Sequence, residues 1–133
     1  GKLTKKFFGA FSTAKDRPVK LDVIYDLFIP QGILIKNVGE QTEIYNLDQF
    51  IKPREKLLNS GALVEFSERE IDERTEVFGN IAQRWSIYEK SGVLDGKSFH
   101  TKGMKTIQFV KMNEKWHISA VAWDDERDGL SID

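Results

Sequence analysis

Cysteine is absent from the 133 residues, and histidine occurs only twice. The first absence excludes a disulfide framework, thiolate metal ligands and a sulfur nucleophile. His100 and His117 fall on different predicted strands without an i, i+2 or i, i+4 partner, so no metal site is expected. A Gly-rich phosphate loop and a Gly-x-Ser-x-Gly elbow are also missing, which leaves covalent catalysis without a candidate and predicts no cofactor. The net charge of −1, from 20 basic and 21 acidic residues, lacks the positive surplus that nucleic-acid binding requires. No run of about 18 apolar residues is present, so no membrane-spanning helix is expected. The opening Gly-Lys-Leu-Thr-Lys-Lys has no apolar signal region, which predicts a cytoplasmic protein. Gly1 in place of methionine points to a processed or engineered start.

What is present reads as one domain over residues 1–133, a length at which roughly two thirds of the unfolded chain's surface can be buried without staples. Charge is uneven. Residues 1–20 carry six basic side chains against Asp16, and residues 65–76 carry six acidic ones against Arg69 and Arg74. A basic helix beside an acidic strand accounts for this.

Leu3, Phe7, Ala10 and Phe11 recur at helical spacing and predict a helix over 3–13. Asp16 and Pro18 mark the start of a second helix, whose stripe is Leu21, Ile24, Tyr25 and Phe28 before Pro30 stops it. Residues 32–36 and 42–45 form two short strands around a turn. Asn46 caps a third helix with Gln49 answering it, and Pro53 predicts a break near Lys52. Its buried stripe is Leu47, Phe50, Ile51, Leu57 and Leu58, and Arg54 lies on that stripe. Residues 63–78 form a long strand whose apolar positions change phase, which predicts a bulge near 67–70. Gly79-Asn80 then turns it into a second long strand, with residues 91–99 as a loop and 124–133 as a frayed acidic tail.

Residues 103–125 alternate as two antiparallel strands around a tip at 112–115. In this register Phe109, Ile107, Lys105, Trp116, Ile118, Ala120 and Ala122 face the core. Met104, Thr106, Gln108, Ser119, Val121 and Trp123 form the opposite stripe. That stripe is too apolar for open water and predicts a homodimer through the outer sheet face, chiefly by Met104, Gln108, Ser119, Val121 and Trp123.

The helices and strands together predict an α+β fold, three N-terminal-half helices packed on the concave face of a curved antiparallel sheet. Polar side chains directed into the space between them are the candidate ligand-binding residues: Tyr25, Arg54, Glu73, Arg84, Ser86, Tyr88 and His100. Arg54 clamps an anion at a cavity mouth or snorkels from the core, and Glu73 with Arg84 forms a pocket acid-base pair or a surface ion pair. Ala82, Arg84, Ser86 and Tyr88 are expected on the concave face, opposite Tyr25 and Arg54.

The element order, with Asp26-Leu-Phe-Ile-Pro-Gln31, Val77-Phe-Gly-Asn-Ile-Ala82 and Lys115-Trp-His-Ile-Ser119, resembles the nuclear transport factor 2-like superfamily and its SnoaL-like, polyketide-cyclase-like branch. The resemblance implies a cone-shaped cystatin-like fold, a cavity between helices and sheet, and a dimer through the outer face. It also implies a choice among a binding protein for an apolar or weakly acidic small molecule, a cofactor-independent isomerase, cyclase or dehydratase, and a dimerising module with a vestigial cavity. Ketosteroid-isomerase-like members of the superfamily carry a carboxylate on the first strand after the second helix. Here that strand reads Ile33-Leu-Ile-Lys36-Asn37, and the first helix offers Phe7, Phe8 and Phe11 without a tyrosine.

Overall fold

The computed structural model describes residues 2–11 and 19–132. The predicted end of the first helix at 12–13 and the start signal at Asp16 and Pro18 lie outside the described residues. In chain order the elements are α1 Lys2–Gly9, α2 Asp22–Leu27, β1 Phe28–Lys36, β2 Glu43–Tyr45, α3 Leu47–Leu58, β3 Leu63–Phe78, β4 Ile81–Leu94, β5 Lys97–Met112 and β6 Lys115–Asp125. The strands make one six-stranded sheet in the order β2-β1-β6-β5-β4-β3. The fold class is the α+β arrangement expected, but β1 runs parallel to β6, so the sheet is mixed. Among the described residues no helix is long and apolar enough to cross a membrane.

Phe28 leaves the helical stripe and begins β1, because Pro30 biases Ile29 towards extended backbone. The proline falls in the stretch between Phe28 and Ile33 where the pairing with β6 slips, so its missing N–H costs no ladder bond. Helix α3 starts as read: Asn46 Oδ1 accepts from the Gln49 N–H and Gln49 Oε1 from the Asn46 N–H, at 2.8 and 2.9 Å. No break occurs at Lys52. Pro53 is accommodated on the exposed side of a continuous helix, where it forgoes its own N–H bond to the Gln49 carbonyl. Leu57, expected in the buried stripe, is exposed.

The expected loop at 91–99 is instead a hairpin. β4 continues to Leu94, and Asp95-Gly96, both at positive φ, turns it into β5. The tail is also ordered: Arg127 and Leu130 exchange backbone hydrogen bonds of 3.0 and 2.8 Å.

Three bulges decide which side chains face inwards, one of them between Val64 and Ser67, beyond which Leu63 lies on the cavity wall. In β3 the predicted register holds from Phe78↔Ile81 to Asp72↔Ile87, and then Glu70 pairs with Tyr88. Ile71 is the extra residue, so Glu70 and Glu68 turn onto the concave face. In β6 the register holds from Met112↔Lys115 to Phe109↔Ile118, and then Gln108 pairs with Ala120. Ser119 is left over, its hydroxyl donating to Gln108 Oε1 at 2.8 Å. Beyond that point every β6 side chain sits on the face opposite to the one expected. Val121 (1% exposed) faces Ile107 in the core and Trp123 (8%) faces Lys105, whereas Ala120 and Ala122 turn outwards. The proposed dimer stripe therefore loses Val121 and Trp123.

The core lies between the helices and the concave face. Its aromatic spine runs from Phe28 to Phe7 (5.9 Å between ring centroids), Phe7 to Phe11 (5.6 Å), Phe11 to Phe50 (5.9 Å) and Phe50 to Trp123 (5.7 Å).

Candidate ligand-binding site

Beneath α3, the concave sheet leaves a cavity of about 450 Å³. Its walls are apolar side chains from both layers: Phe11, Phe50, Leu58 and Leu63 near the helices, Phe66, Phe99 and Trp123 on the strands. Five charged side chains reach it, namely Lys36, Arg54, Lys90, Lys105 and Glu68. Four cations against one carboxylate give this apolar hollow a positive balance.

Arg54 is held by its helix. Its guanidinium lies 4.0 Å from the Phe50 ring centroid and 5.1 Å from that of Tyr45, with an Nη1 to Phe50 carbonyl contact of 3.4 Å. Burial lowers its pKa, opposed by the Tyr45 hydroxyl, and the group remains a cation. Among the described residues no carboxylate forms an ion pair with it. Two of the other cations differ: Lys90 Nζ is 3.1 Å from Asp125, and Lys105 Nζ is 3.1 Å from Glu68. Lys105 is 5% exposed, and its ammonium is ringed by Phe7, Phe8, Tyr88 and Trp123 at 4.6 to 5.5 Å.

Of the seven residues expected to bind ligand, Arg54 lines this cavity. Arg84, Ser86 and Tyr88 do face inwards, as the alternation of β4 required, but each is occupied. Arg84 grips Glu70 with both ends of its fork, Nε to Oε2 at 2.9 Å, and Ser86 Oγ donates to the same carboxylate at 2.6 Å. Tyr88 is fully buried with its hydroxyl donating to Asp125, and burial pushes its pKa far up. Glu73, read as the partner of Arg84, is a looser neighbour at 3.6 Å and lies outside the cavity. Tyr25 donates to Asp48 and so ties α2 to α3; that carboxylate pushes its pKa up to about 12. His100 is exposed on the other face, 3.2 Å from Glu89.

Sequence reasoning missed Lys36, Lys90 and Glu68, and it treated Lys105 only as a core-facing position. Glu68 was hidden by the β3 bulge, because it faces inwards only once Ile71 is looped out, whereas Lys90 simply continues the β4 alternation of Arg84, Ser86 and Tyr88 by one more step. Among the described residues no cluster of three or more acidic or histidine side chains could hold a metal ion.

The Glu70 clamp has a pH signature. Burial raises the Glu70 carboxyl, but the hydrogen bonds from Arg84 and Ser86 outweigh it, and the pKa falls below its ordinary 4.5. A carboxylate with a depressed folded pKa adds stability that is present above its unfolded value and is lost as pH falls through the folded one. The stability gap between wild type and Glu70→Gln is therefore expected to shrink progressively below about pH 5. Urea midpoints measured from pH 7 to pH 3 check this; a gap that does not change with pH contradicts it.

With this geometry in place, the solved structures give the class. The chain has the nuclear transport factor 2-like, cystatin-like fold. It is similar to a nuclear transport factor 2-like superfamily protein from Salmonella enterica, at 17% identity over 92% of this chain and 84% of that one, with a TM-score of 0.71. It is similar to an uncharacterized protein with a cystatin-like fold from Caulobacter vibrioides, at 15% identity over 96% and 87% of the two chains, TM-score 0.72. The association domain of C. elegans CaMKII matches at 11% identity over 92% and 89%, TM-score 0.64. No protein-family model matches the chain, and no curated protein does. Fold is what these identities carry, so the particular function rests on the cavity itself.

Proposed function

We propose that this chain is a small dimeric binding protein that takes an apolar molecule carrying one anionic group into the cavity beneath α3. The observation that carries this reading is Arg54, a half-buried guanidinium stacked on Phe50, facing the cavity and forming no ion pair with any described carboxylate. A guanidinium fixed by stacking is preorganised for a planar carboxylate, which it meets with two parallel hydrogen bonds. Lys36 adds positive field without closing the cavity, and the apolar walls receive the rest of the ligand.

Binding of 4-methylbenzoate, followed by calorimetry, tests this against its methyl ester. The carboxylate is expected to bind and the ester is not, and Arg54→Met is expected to weaken the carboxylate about tenfold or more, the loss of a charge-assisted hydrogen bond. Equal binding of acid and ester contradicts the reading.

The dimer belongs to the same proposal, through a corrected surface. The outer face of β4 and β5 presents Trp85, 49% exposed, beside Thr106, with Gln83 opposite Gln108 and Ile87 opposite Met104. Ala120 and Ala122 on β6 let a second sheet approach closely. Isologous burial of this face builds an interface of the standard kind, roughly 800 Å² per partner. One of the similar structures is itself an association domain, which supports self-association as a use of this fold. Sedimentation of wild type beside a Trp85→Glu, Gln108→Arg variant checks it. A dimer that becomes a folded monomer is expected; a monomeric wild type sinks the dimer.

A further inference from the structure

We propose that Lys105 is a nucleophilic amine that condenses with an aldehyde or ketone bound in the cavity to form an imine, with Glu68 carrying the protons. The proposal rests on the binding reading above, because the same ligand must present its anionic group to Arg54. Three features of the site carry it. Lys105 lines the cavity wall on an internal strand, held by packing among four aromatic rings. A carboxylate, Glu68, stands 3.1 Å from its nitrogen and lines the same cavity. Lys105 Nζ and the Arg54 guanidinium carbon both lie within 6.0 Å of the Trp123 ring centroid, so one small molecule reaches both.

Burial supports the chemistry. Desolvation lowers the pKa of the Lys105 ammonium, and the Lys90 charge lowers it further, while Glu68 and Asp125 oppose. A desolvated lysine next to a second cation is the usual way a protein makes an amine available.

The steps balance without an added reagent. The ammonium gives a proton to Glu68, and the neutral nitrogen attacks the carbonyl carbon, forming the C–N bond as the C=O π pair moves to oxygen. Glu68 returns its proton to that oxygen, giving a hydroxyl. It then removes a proton from the nitrogen and delivers it to the hydroxyl, which leaves as water as the nitrogen lone pair forms C=N. An ammonium and a carbonyl become a protonated imine and one water, and Glu68 ends ionised as it began.

The probe is 4-formylbenzoate with sodium cyanoborohydride, which reduces the imine to a stable carboxybenzyl amine. Peptide mapping of the intact wild-type chain reads which lysine carries it. The expected result is one carboxybenzyl group on Lys105 ahead of the 13 other lysines, despite its being among the least exposed. Glu68→Gln is expected to slow that trapping about a hundredfold; faster trapping in this variant overturns the role given to Glu68. Labelling distributed over exposed lysines, with Lys105 unmodified, overturns the proposal. An unlabelled Lys105 in a protein that still binds 4-methylbenzoate through Arg54 overturns the imine and leaves the binding reading intact. Failure of both ligands overturns both.

Discussion

Gly103→Ala is expected to be the most damaging small substitution in the sheet, costing about 3 kcal/mol or more, in the range of severe overpacking. Gly103 lies directly across from Tyr88 on β4 and from Asp125 on β6. A Cβ there would stand 2.2 Å from the Tyr88 hydroxyl oxygen, 2.4 Å from Cζ and 2.6 Å from the Asp124 carbonyl oxygen. Neither neighbour yields cheaply. The tyrosine is fully buried with its hydroxyl committed to Asp125, and the carbonyl belongs to the backbone of a paired strand. Glycine here is the seat on which an inward tyrosine ring rests, and the ring in turn covers the gap that glycine leaves. Chemical denaturation of Gly103→Ala, Tyr88→Phe and the double variant checks the assignment. Removing the hydroxyl relieves the shortest contact, so the double variant is expected to lose less than the sum of the two single losses. Strict additivity, or an alanine variant as stable as wild type, would contradict the account.

The second large effect is expected at the Lys105–Glu68 pair, whose side chains are 6% and 9% exposed. Lys105→Met leaves a buried carboxylate without its partner, and Glu68→Leu leaves a buried ammonium among aromatic rings, each costing about 3 to 5 kcal/mol. Replacing both together removes the desolvation penalty along with the attraction, so the Met/Leu pair is expected to recover most of that loss or to exceed wild type. Urea midpoints of the four proteins in the cycle measure this. Single variants within about 1 kcal/mol of wild type would mean that water solvates the pair, in the way it does a surface salt bridge.

How much of this was legible in the sequence depended on whether the signal was periodic. The capping box at Asn46 and Gln49, the Gly79-Asn80 turn and the inward set Arg84, Ser86 and Tyr88 came from spacing alone, and the structure has all of them. Arg54 was legible for the same reason: it falls on the apolar stripe of α3 and emerges in the cavity. A bulge is harder to read, because one unpaired residue reverses every side chain beyond it. The change of phase in β3 was visible, but one bulge was expected near 67–70 where the strand has two, between Val64 and Ser67 and at Ile71, and the second is what turns Glu70 and Glu68 onto the inner face. The same warning stood in β6. Ile118 is out of phase with Val121 and Trp123, and Ser119 between them is the bulged residue that reconciles them. Reading 91–99 as a loop passed over Asp95-Gly96, a type of pair that favours two residues at positive φ. The dimer stripe and the cavity wall were therefore exchanged in part, with Trp123 moved from the first to the second.

A crystal structure with 4-iodobenzoate places an anionic apolar ligand directly, through the iodine's anomalous signal. The predicted result is one iodine in the apolar hollow near Leu63 and Phe99, with the carboxylate about 3 Å from the Arg54 guanidinium. Iodine on the outer sheet face or beside the tail at Arg127, with the space beneath α3 empty, would contradict it.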